Sequence, residues 1–169
     1  VYTSDLTLIN KTVFKNDGVN TDKLISCEPG TELTILNSTL TSNTDKIIHL
    51  DAQGQDPVFN INYSNITHGD SGIYVNPPEN YDIVVNWGSG NIDVDPMFVD
   101  TASGDYYLLA SSQLINGGHP DSLDSDGSRA DIGAYYYHNE YSGPSWYITE
   151  SGNDTTATGA SDDPFRSIQ

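Results

Sequence analysis

The chain has 169 residues, the size of one domain, and its 24 acidic residues against six lysines and arginines give a formal net charge of −18. A charge this negative argues against nucleic acid and anionic lipid as partners, because both need clustered lysine and arginine. No apolar run approaches the ~20 residues of a membrane span, and Asp, Asn, Gly, Ser and Thr dominate the polar residues, so we expect no membrane insertion and almost no helix.

An eight-residue pattern occurs three times in the first part of the chain, at 6–13, 33–40 and 59–66. The copies start 27 and then 26 residues apart, and each alternates apolar with polar residues, which is the periodicity of a strand. The equivalent apolar positions are Leu6/Leu33/Phe59, Leu8/Ile35/Ile61 and Val13/Leu40/Ile66. A second strand series with similar spacing lies between the copies, at 23–26, 46–49 and 71–75.

Repeated strands at this interval, with turn residues between them, predict a β-solenoid in which like side chains stack from coil to coil. The alternative is an antiparallel sandwich whose spacing is coincidental. We expect Cys27 to be a small buried hydrophobe in a coil strand.

Polar positions repeat as well. Asn10 and Asn37 are equivalent, and they either hydrogen-bond from coil to coil or are unrelated turn residues, with Tyr63 interrupting the row. A second polar row is predicted at Thr12, Thr39 and Asn65, the next such positions in the three copies.

Residues 1–90 are interpreted as coils, and the character of the sequence changes over 91–137. Four motifs follow in order there: Asp-Pro-Met-Phe-Val-Asp at 95–100, Gly-Asp-Tyr-Tyr-Leu at 104–108, Ser-x-x-Ile-Asn-Gly-Gly at 112–118, and Asp-Ile-Gly-Ala-Tyr at 131–135. This run resembles the closing segment of secreted bacterial right-handed parallel β-helix proteins of the pectate-lyase-like superfamily. The resemblance implies an all-β fold, a right-handed parallel β-helix with an irregular C-terminal cap over 91–137, and an extracellular or cell-surface location.

The C-terminal residues have a different pattern. Residues 138–145 are interpreted as a linker, and 146–169 carry a short apolar strand, a Gly-Asn-Asp loop and Pro-Phe-x-x-Ile-Gln. This tail resembles the start of a further β-helix domain in the same superfamily. The alternative is a terminal tail that packs back on the same domain.

The best metal candidate is the acidic loop with Asp124 and Asp126 around Gly127 and with Asp131 nearby. Ca²⁺ takes six to eight oxygen ligands, and a tight glycine turn can gather carboxylates around one point, although the EF-hand pattern is not met. The alternative is a set of Asx turns that cap backbone N–H groups, with Arg129 paired to a neighbouring carboxylate. Asp93, Asp95 and Asp100 form a second cluster, for which turn caps are the favoured interpretation.

Catalysis is not expected. A lyase needs a base and groups that neutralise the substrate carboxylate, and a hydrolase needs paired carboxylates on one face, whereas the acids of the coils fall in turns. A group of C-terminal aromatic residues could stack on sugars or could pack the cap and interface; its members are Tyr135, Tyr136, Tyr137, Tyr141, Trp146 and Tyr147.

We therefore predict a non-enzymatic extracellular structural or adhesive protein. It would form head-to-tail oligomers or filaments through open solenoid ends and the tail, because the first coil would expose unpaired strand edges. The alternative, which the resemblance allows, is a carbohydrate-binding or polysaccharide-degrading module. A third possibility is a calcium-stabilised spacer in a longer secreted protein.

Overall fold

The computed structural model describes residues 5–15, 24–27, 30–43, 46–51, 58–76, 84–137 and 145–167. Within these ranges the regular elements are strands and one short 3-10 helix at Gly69–Gly72. The strands are β1 Leu6–Ile9, β2 Thr12–Lys15, β3 Ile25–Cys27, β4 Glu32–Leu36, β5 Thr39–Ser42, β6 Ile48–Asp51, β7 Val58–Asn62, β8 Asn65–Ile66, β9 Ile73–Asn76, β10 Val84–Trp87, β11 Phe98–Asp100 and β12 Asp105–Leu108. None of the described helices is long or apolar enough to cross a membrane.

The first ten strands form three parallel sheets in which every third strand pairs. Sheet A has the order β1-β4-β7-β10, sheet B has β2-β5-β8, and sheet C has β3-β6-β9. Each of the first three coils contributes one strand to each sheet in turn, and β10 adds a fourth strand to sheet A, so the fold is a β-solenoid. The predicted register is confirmed, since Leu8 pairs with Ile35 and Ile35 pairs with Ile61.

The inside of the coils is filled by stacked apolar side chains. The most deeply buried of them, each at most 1% exposed, are Leu33, Ile35, Leu40, Ile47, Ile48, Leu50, Phe59, Ile61 and Ile66. Leu8 and Val13 in the first coil and Trp87 in the fourth are only partly buried against this core. Cys27 is buried opposite Leu50, as expected. The middle coils therefore hold most of the apolar burial, which contributes about 1.5–3 kcal/mol per large side chain.

One tight turn recurs between sheet A and sheet B. Asn10, Asn37, Tyr63 and Gly90 all have positive φ, at 51°, 48°, 46° and 71°. Asn and Gly adopt this left-handed conformation at little cost, and its recurrence confirms that Asn10 and Asn37 are equivalent. Tyr63 keeps the same backbone conformation, although its side chain differs.

A polar ladder follows this turn by one residue. The Ser38 hydroxyl donates to the Leu36 carbonyl at 2.8 Å and accepts from the Lys11 N–H at 3.1 Å. The Ser38 N–H donates to the Ser64 hydroxyl at 3.2 Å, and the Ser64 N–H donates to the Asn91 side-chain oxygen at 3.1 Å. These side chains satisfy backbone groups that the turn leaves without a sheet partner.

Residues 91–137, named here the flank segment, fold back along the outer face of sheet B. Asn65 of β8 binds the Val94 backbone from both sides, donating to its carbonyl at 3.1 Å and accepting from its N–H at 3.0 Å. Phe14 of β2 packs on Phe98 and Tyr106, with ring centroids 6.3 and 5.5 Å away. The segment thus contacts the third coil near its start and reaches the first coil along the side of the solenoid.

The far end of the flank segment is also docked. The Ala134 N–H donates to the Thr12 hydroxyl at 3.0 Å, and the Gly133 N–H donates to the Asn37 carbonyl at 2.9 Å. Thr12 pairs with Thr39 and Thr39 pairs with Asn65, so the predicted polar row exists. Two of its members hold the flank segment, a role that the repeat itself does not indicate.

A second, smaller core lies inside the flank segment. It consists of Leu108, Leu114 and Ile132, with partly buried neighbours that include Phe98 and Tyr137. The antiparallel pair β11-β12 frames this core, and Ile132 donates its N–H to the Leu114 carbonyl at 3.0 Å. The flank segment is therefore a folded unit rather than an extended chain.

The described part of the tail, 145–167, forms a closed loop of its own. Ile148 and Phe165 form a parallel bridge, and Phe165 donates its N–H to the Tyr147 carbonyl at 2.9 Å. The Ala110 N–H donates to the Thr155 carbonyl at 3.4 Å, which joins the tail to the flank segment. Most of the predicted linker, 138–144, lies outside the described residues, and the proposed domain boundaries stay predictions.

Candidate functional site

The acidic loop predicted as a metal site is held by bonds to its own backbone. Asp124 accepts from the Asp131 N–H at 2.9 Å, and Asp126 accepts from the N–H and the hydroxyl of Ser128 at 2.9 and 2.6 Å. The Asp124 N–H donates to the Ser128 carbonyl at 2.9 Å and closes the turn around Gly127. These are the contacts of the Asx-turn interpretation.

Asp131 is the most buried of the three carboxylates, with 4% of its surface exposed. One of its oxygens accepts from the Asn116 N–H and the other from the Tyr137 N–H, each at 2.6 Å. Burial raises the pKa of Asp131 to about 6; the two N–H bonds act against this rise, and the charges of Asp124 and Asp126 add to it. The buried carboxyl group of Asp131 therefore links residues 116 and 137 of the flank segment.

Calcium binding by this loop stays a prediction. No three His, Cys, Asp or Glu side chains are grouped to hold a metal ion within the described ranges. All three carboxylates already accept from N–H or hydroxyl groups of the chain, so a cation would compete with those bonds. A higher melting temperature in millimolar Ca²⁺ than in chelator would support the site.

Arg129 makes contacts other than the expected carboxylate pair. Its Nε donates to the Gly118 carbonyl at 2.7 Å, and its guanidinium carbon lies 5.9 Å from the centre of the Tyr63 ring. Tyr63 also packs edge-on against His119 at 4.9 Å. The side chain that interrupts the asparagine row thus helps to seat the flank segment.

Two members of the second acidic cluster, Asp95 and Asp100, are turn caps, as favoured from the sequence. Asp95 accepts from the Met97 N–H at 2.9 Å, and Asp100 accepts from the Ala102 and Ser103 N–H groups at 3.0 and 3.4 Å. These bonds satisfy the turn on either side of β11.

A groove of about 300 Å³ opens where the tail meets the flank segment. We name it the tail groove, and its lining residues are Ala110, Ser111, Trp146, Ile148, Asp154, Phe165 and Ser167. Its apolar wall is exposed, with Trp146 51% and Ile148 44% accessible. Its polar side is formed by a carboxylate and two serines, so the groove combines an aromatic surface with hydrogen-bonding groups.

The aromatic wall is fixed by its backbone. Trp146 and Phe165 are nearly parallel, with ring centroids 6.0 Å apart and planes inclined by 16°. Gly159 lies against both rings, and a Cβ atom there would come within 2.5 Å of Trp146 and 2.6 Å of Phe165. Gly159 also has φ +87°, so a larger residue would be strained and would push the two rings away.

The polar side is equally constrained. One oxygen of Asp154 accepts from the Arg166 N–H at 2.6 Å and the Ser167 N–H at 2.9 Å, and the other accepts from the Ser167 hydroxyl at 2.6 Å. The Ser167 hydroxyl is the main cause that lowers the pKa of Asp154, so this carboxyl group is ionised at neutral pH.

The predicted aromatic group does not form one patch. Tyr137 packs on the small core of the flank segment, whereas Tyr135 packs at a tilt of 41° against Tyr107, with ring centroids 4.8 Å apart. Trp146 lines the tail groove, and Tyr141 lies outside the described residues. Some of these aromatic residues therefore pack within the flank segment, and Trp146 lines a candidate site.

The first coil presents the edges of all three sheets. Within the described residues, β1, β2 and β3 each pair on one side only, with β4, β5 and β6. Leu6 and Ile9 on β1 are 37% and 46% exposed. The described contacts of the flank segment with the first coil are made by Thr12 and Phe14 of β2, on the outer face of sheet B.

The comparisons with known proteins return nothing: no family model, no curated protein and no solved structure matches this chain.

Sequence reasoning missed the Ser38 ladder and the partners of Trp146. The ladder had a signal, because a serine follows the positive-φ residue in two coils, at Ser38 and Ser64. In the tail, the Gly-Asn-Asp loop and the Pro-Phe pair form a recognisable motif, but nothing in their spacing shows that Asp154 and Phe165 share a groove.

Proposed function

We propose that this chain is the rigid part of an extracellular structural or adhesive protein of the secreted bacterial parallel β-helix class, without catalytic activity, and that copies of it join end to end. One observation carries the proposal: the flank segment runs along the side of the solenoid, while the sheet edges of the first coil pair with no strand among the described residues.

The edge has the chemistry of a stacking surface. Each of its strands is terminal in its sheet, with no further strand on that side among the described residues, and a new parallel coil would extend ladders whose register is already set. Leu6 belongs to the interior file of Leu33 and Phe59, so a further coil would also bury its exposed side chain. A heterologous contact of this kind can repeat without closing, which produces filaments.

The experiment is the molar mass of the chain as a function of concentration, by sedimentation or light scattering. We expect association that depends on concentration, and its loss in Leu6→Lys, because a charge at the end of the interior file opposes a further coil. Thr7→Lys is the matched control. Thr7 is next to Leu6 on β1, and because side chains alternate along a strand, it lies on the outer face of sheet A.

A second comparison uses the chain without residues 146–169, to separate the edge from the tail. The truncated chain should associate less if the tail takes part in the contact. A monomer at every concentration for all of these chains removes the proposal.

A further inference from the structure

The tail groove has two faces of opposite character. The indole of Trp146 is half exposed beside Ile148, and its position is set by Phe165 and Gly159. The same groove is also lined by Asp154, Ser111 and Ser167, which supply a carboxylate and two hydroxyl groups. A ligand for such a site needs an apolar face and a rim of hydroxyl groups, which is the build of a pyranose ring.

The polar side keeps capacity for a ligand. A carboxylate has about four acceptor positions, and the Arg166 N–H, the Ser167 N–H and the Ser167 hydroxyl occupy three of those on Asp154. The position that is left lies on the oxygen bound to the Ser167 hydroxyl. A sugar hydroxyl could donate there without breaking a bond that holds the loop.

The charge of the groove further restricts the class of sugar that it can bind. The carboxylate in the groove is ionised, and the chain as a whole carries a formal charge of −18. Uronate or sulfated sugars would meet like charge, whereas an uncharged sugar would not. The groove volume of about 300 Å³ is at the low end for ligand sites and fits one or two sugar units.

We propose that the tail groove binds a neutral hexose unit of a polysaccharide, with the sugar ring stacked on Trp146 and a sugar hydroxyl donating to Asp154. The residues that line the groove belong to the tail and to positions 110 and 111, and none lies on a strand of the first coil, so sugar binding is tested separately from end-to-end assembly.

The test is titration of the intact chain with neutral oligosaccharides of glucose, mannose, galactose and N-acetylglucosamine, and with oligogalacturonate as the acidic counterpart. Calorimetry gives the affinity, and NMR follows the indole N–H resonances. We expect at least one neutral oligosaccharide to bind and to shift the Trp146 resonance, while that of Trp87 in the coil stays in place. This readout needs no variant, so it does not depend on how a substitution folds.

Variants then locate the contact. Trp146→Ala should weaken binding by about tenfold or more, and Trp146→Phe should keep most of it because a ring remains. Tyr147→Ala is the matched control, since Tyr147 is the adjacent exposed aromatic residue and does not line the groove.

Three results would overturn the proposal. They are no binding by any neutral oligosaccharide, acidic sugars bound as tightly as neutral ones, and binding that survives Trp146→Ala. Concentration-dependent association that Trp146→Ala abolishes, without sugar binding, would instead assign the groove to a second copy of the chain.

Discussion

The coils and the flank segment satisfy the same physical demands in different ways. In the coils, each strand bonds to the equivalent strand of the next coil, and the interior is a set of repeated apolar files. In the flank segment, single side chains such as Asp131 and Asp100 accept from individual backbone N–H groups. Repetition thus stabilises the first region, and unique polar contacts stabilise the second.

The difference decides how each region responds to change. A coil residue has like neighbours above and below, so the cost of truncation depends on how central its coil is. A flank residue has specific partners, so a change of one atom type is enough to leave a buried donor or acceptor unpaired.

The largest expected effect is the loss of stability on truncating equivalent residues in two neighbouring coils. Ile35→Ala in the second coil should lower the free energy of unfolding by about 2–5 kcal/mol, because Ile35 is fully buried between Leu8 and Ile61. Leu8→Ala should cost clearly less, because Leu8 is only partly buried. Urea unfolding measures both, and equal costs would mean that the first coil is as enclosed as the second.

The next effect tests the buried carboxyl group of the flank segment. The pKa of Asp131 is raised to about 6 from its ordinary 3.8, so the native state takes up the proton first as the pH falls. The contribution of Asp131 to stability should therefore rise as the pH falls from 7 towards 4, by at most about 3 kcal/mol, since one pKa unit corresponds to about 1.36 kcal/mol.

The control for this prediction compares carboxylates in the same segment. Asp131→Asn should remove that pH-dependent gain relative to the wild type, and Asp100→Asn should leave it in place, because Asp100 caps an exposed turn. The comparison is made by unfolding at each pH. A pH profile that is identical in the wild type and Asp131→Asn would show that Asp131 is not the group responsible.

The smallest effect concerns the bond between the two regions. Asn65→Asp removes the donor to the Thr39 hydroxyl and the Val94 carbonyl, and should cost about 1–3 kcal/mol. Asn86→Asp, on the exposed outer face of sheet A, should stay within about 0.5 kcal/mol. Similar costs for the two substitutions would contradict a docked flank segment.

The coils could be predicted from the sequence because their contacts repeat. The spacing of Leu8, Ile35 and Ile61 is enough to predict that they pair in register, and the same is true of Thr12 and Thr39. An alternating pattern also fixes which side chains point inwards, since a slip of one residue would turn every apolar group outwards.

The course of the flank segment could not be predicted in this way. Its bonds to the coils join residues 82 and 122 positions apart, His119 with Asn37 and Ala134 with Thr12, and each occurs once. The motifs of 91–137 indicated a cap, but they carry no information about which sheet it covers. The tail groove was missed for the same reason, because the Asp154 carboxylate and the Trp146 ring meet only through the fold of the loop.

The central claim is that the flank segment lies along the side of the solenoid as far as the first coil. The direct measurement is disulfide formation between Thr12→Cys and Ala134→Cys in a Cys27→Ala background, since the Ala134 N–H reaches the Thr12 hydroxyl at 3.0 Å. We predict an intramolecular disulfide for this pair. We predict none for Thr7→Cys with Ala134→Cys, because Thr7 lies on the outer face of sheet A and the flank segment lies on that of sheet B. No bridge in the first pair, or equal bridging in both, would contradict the account.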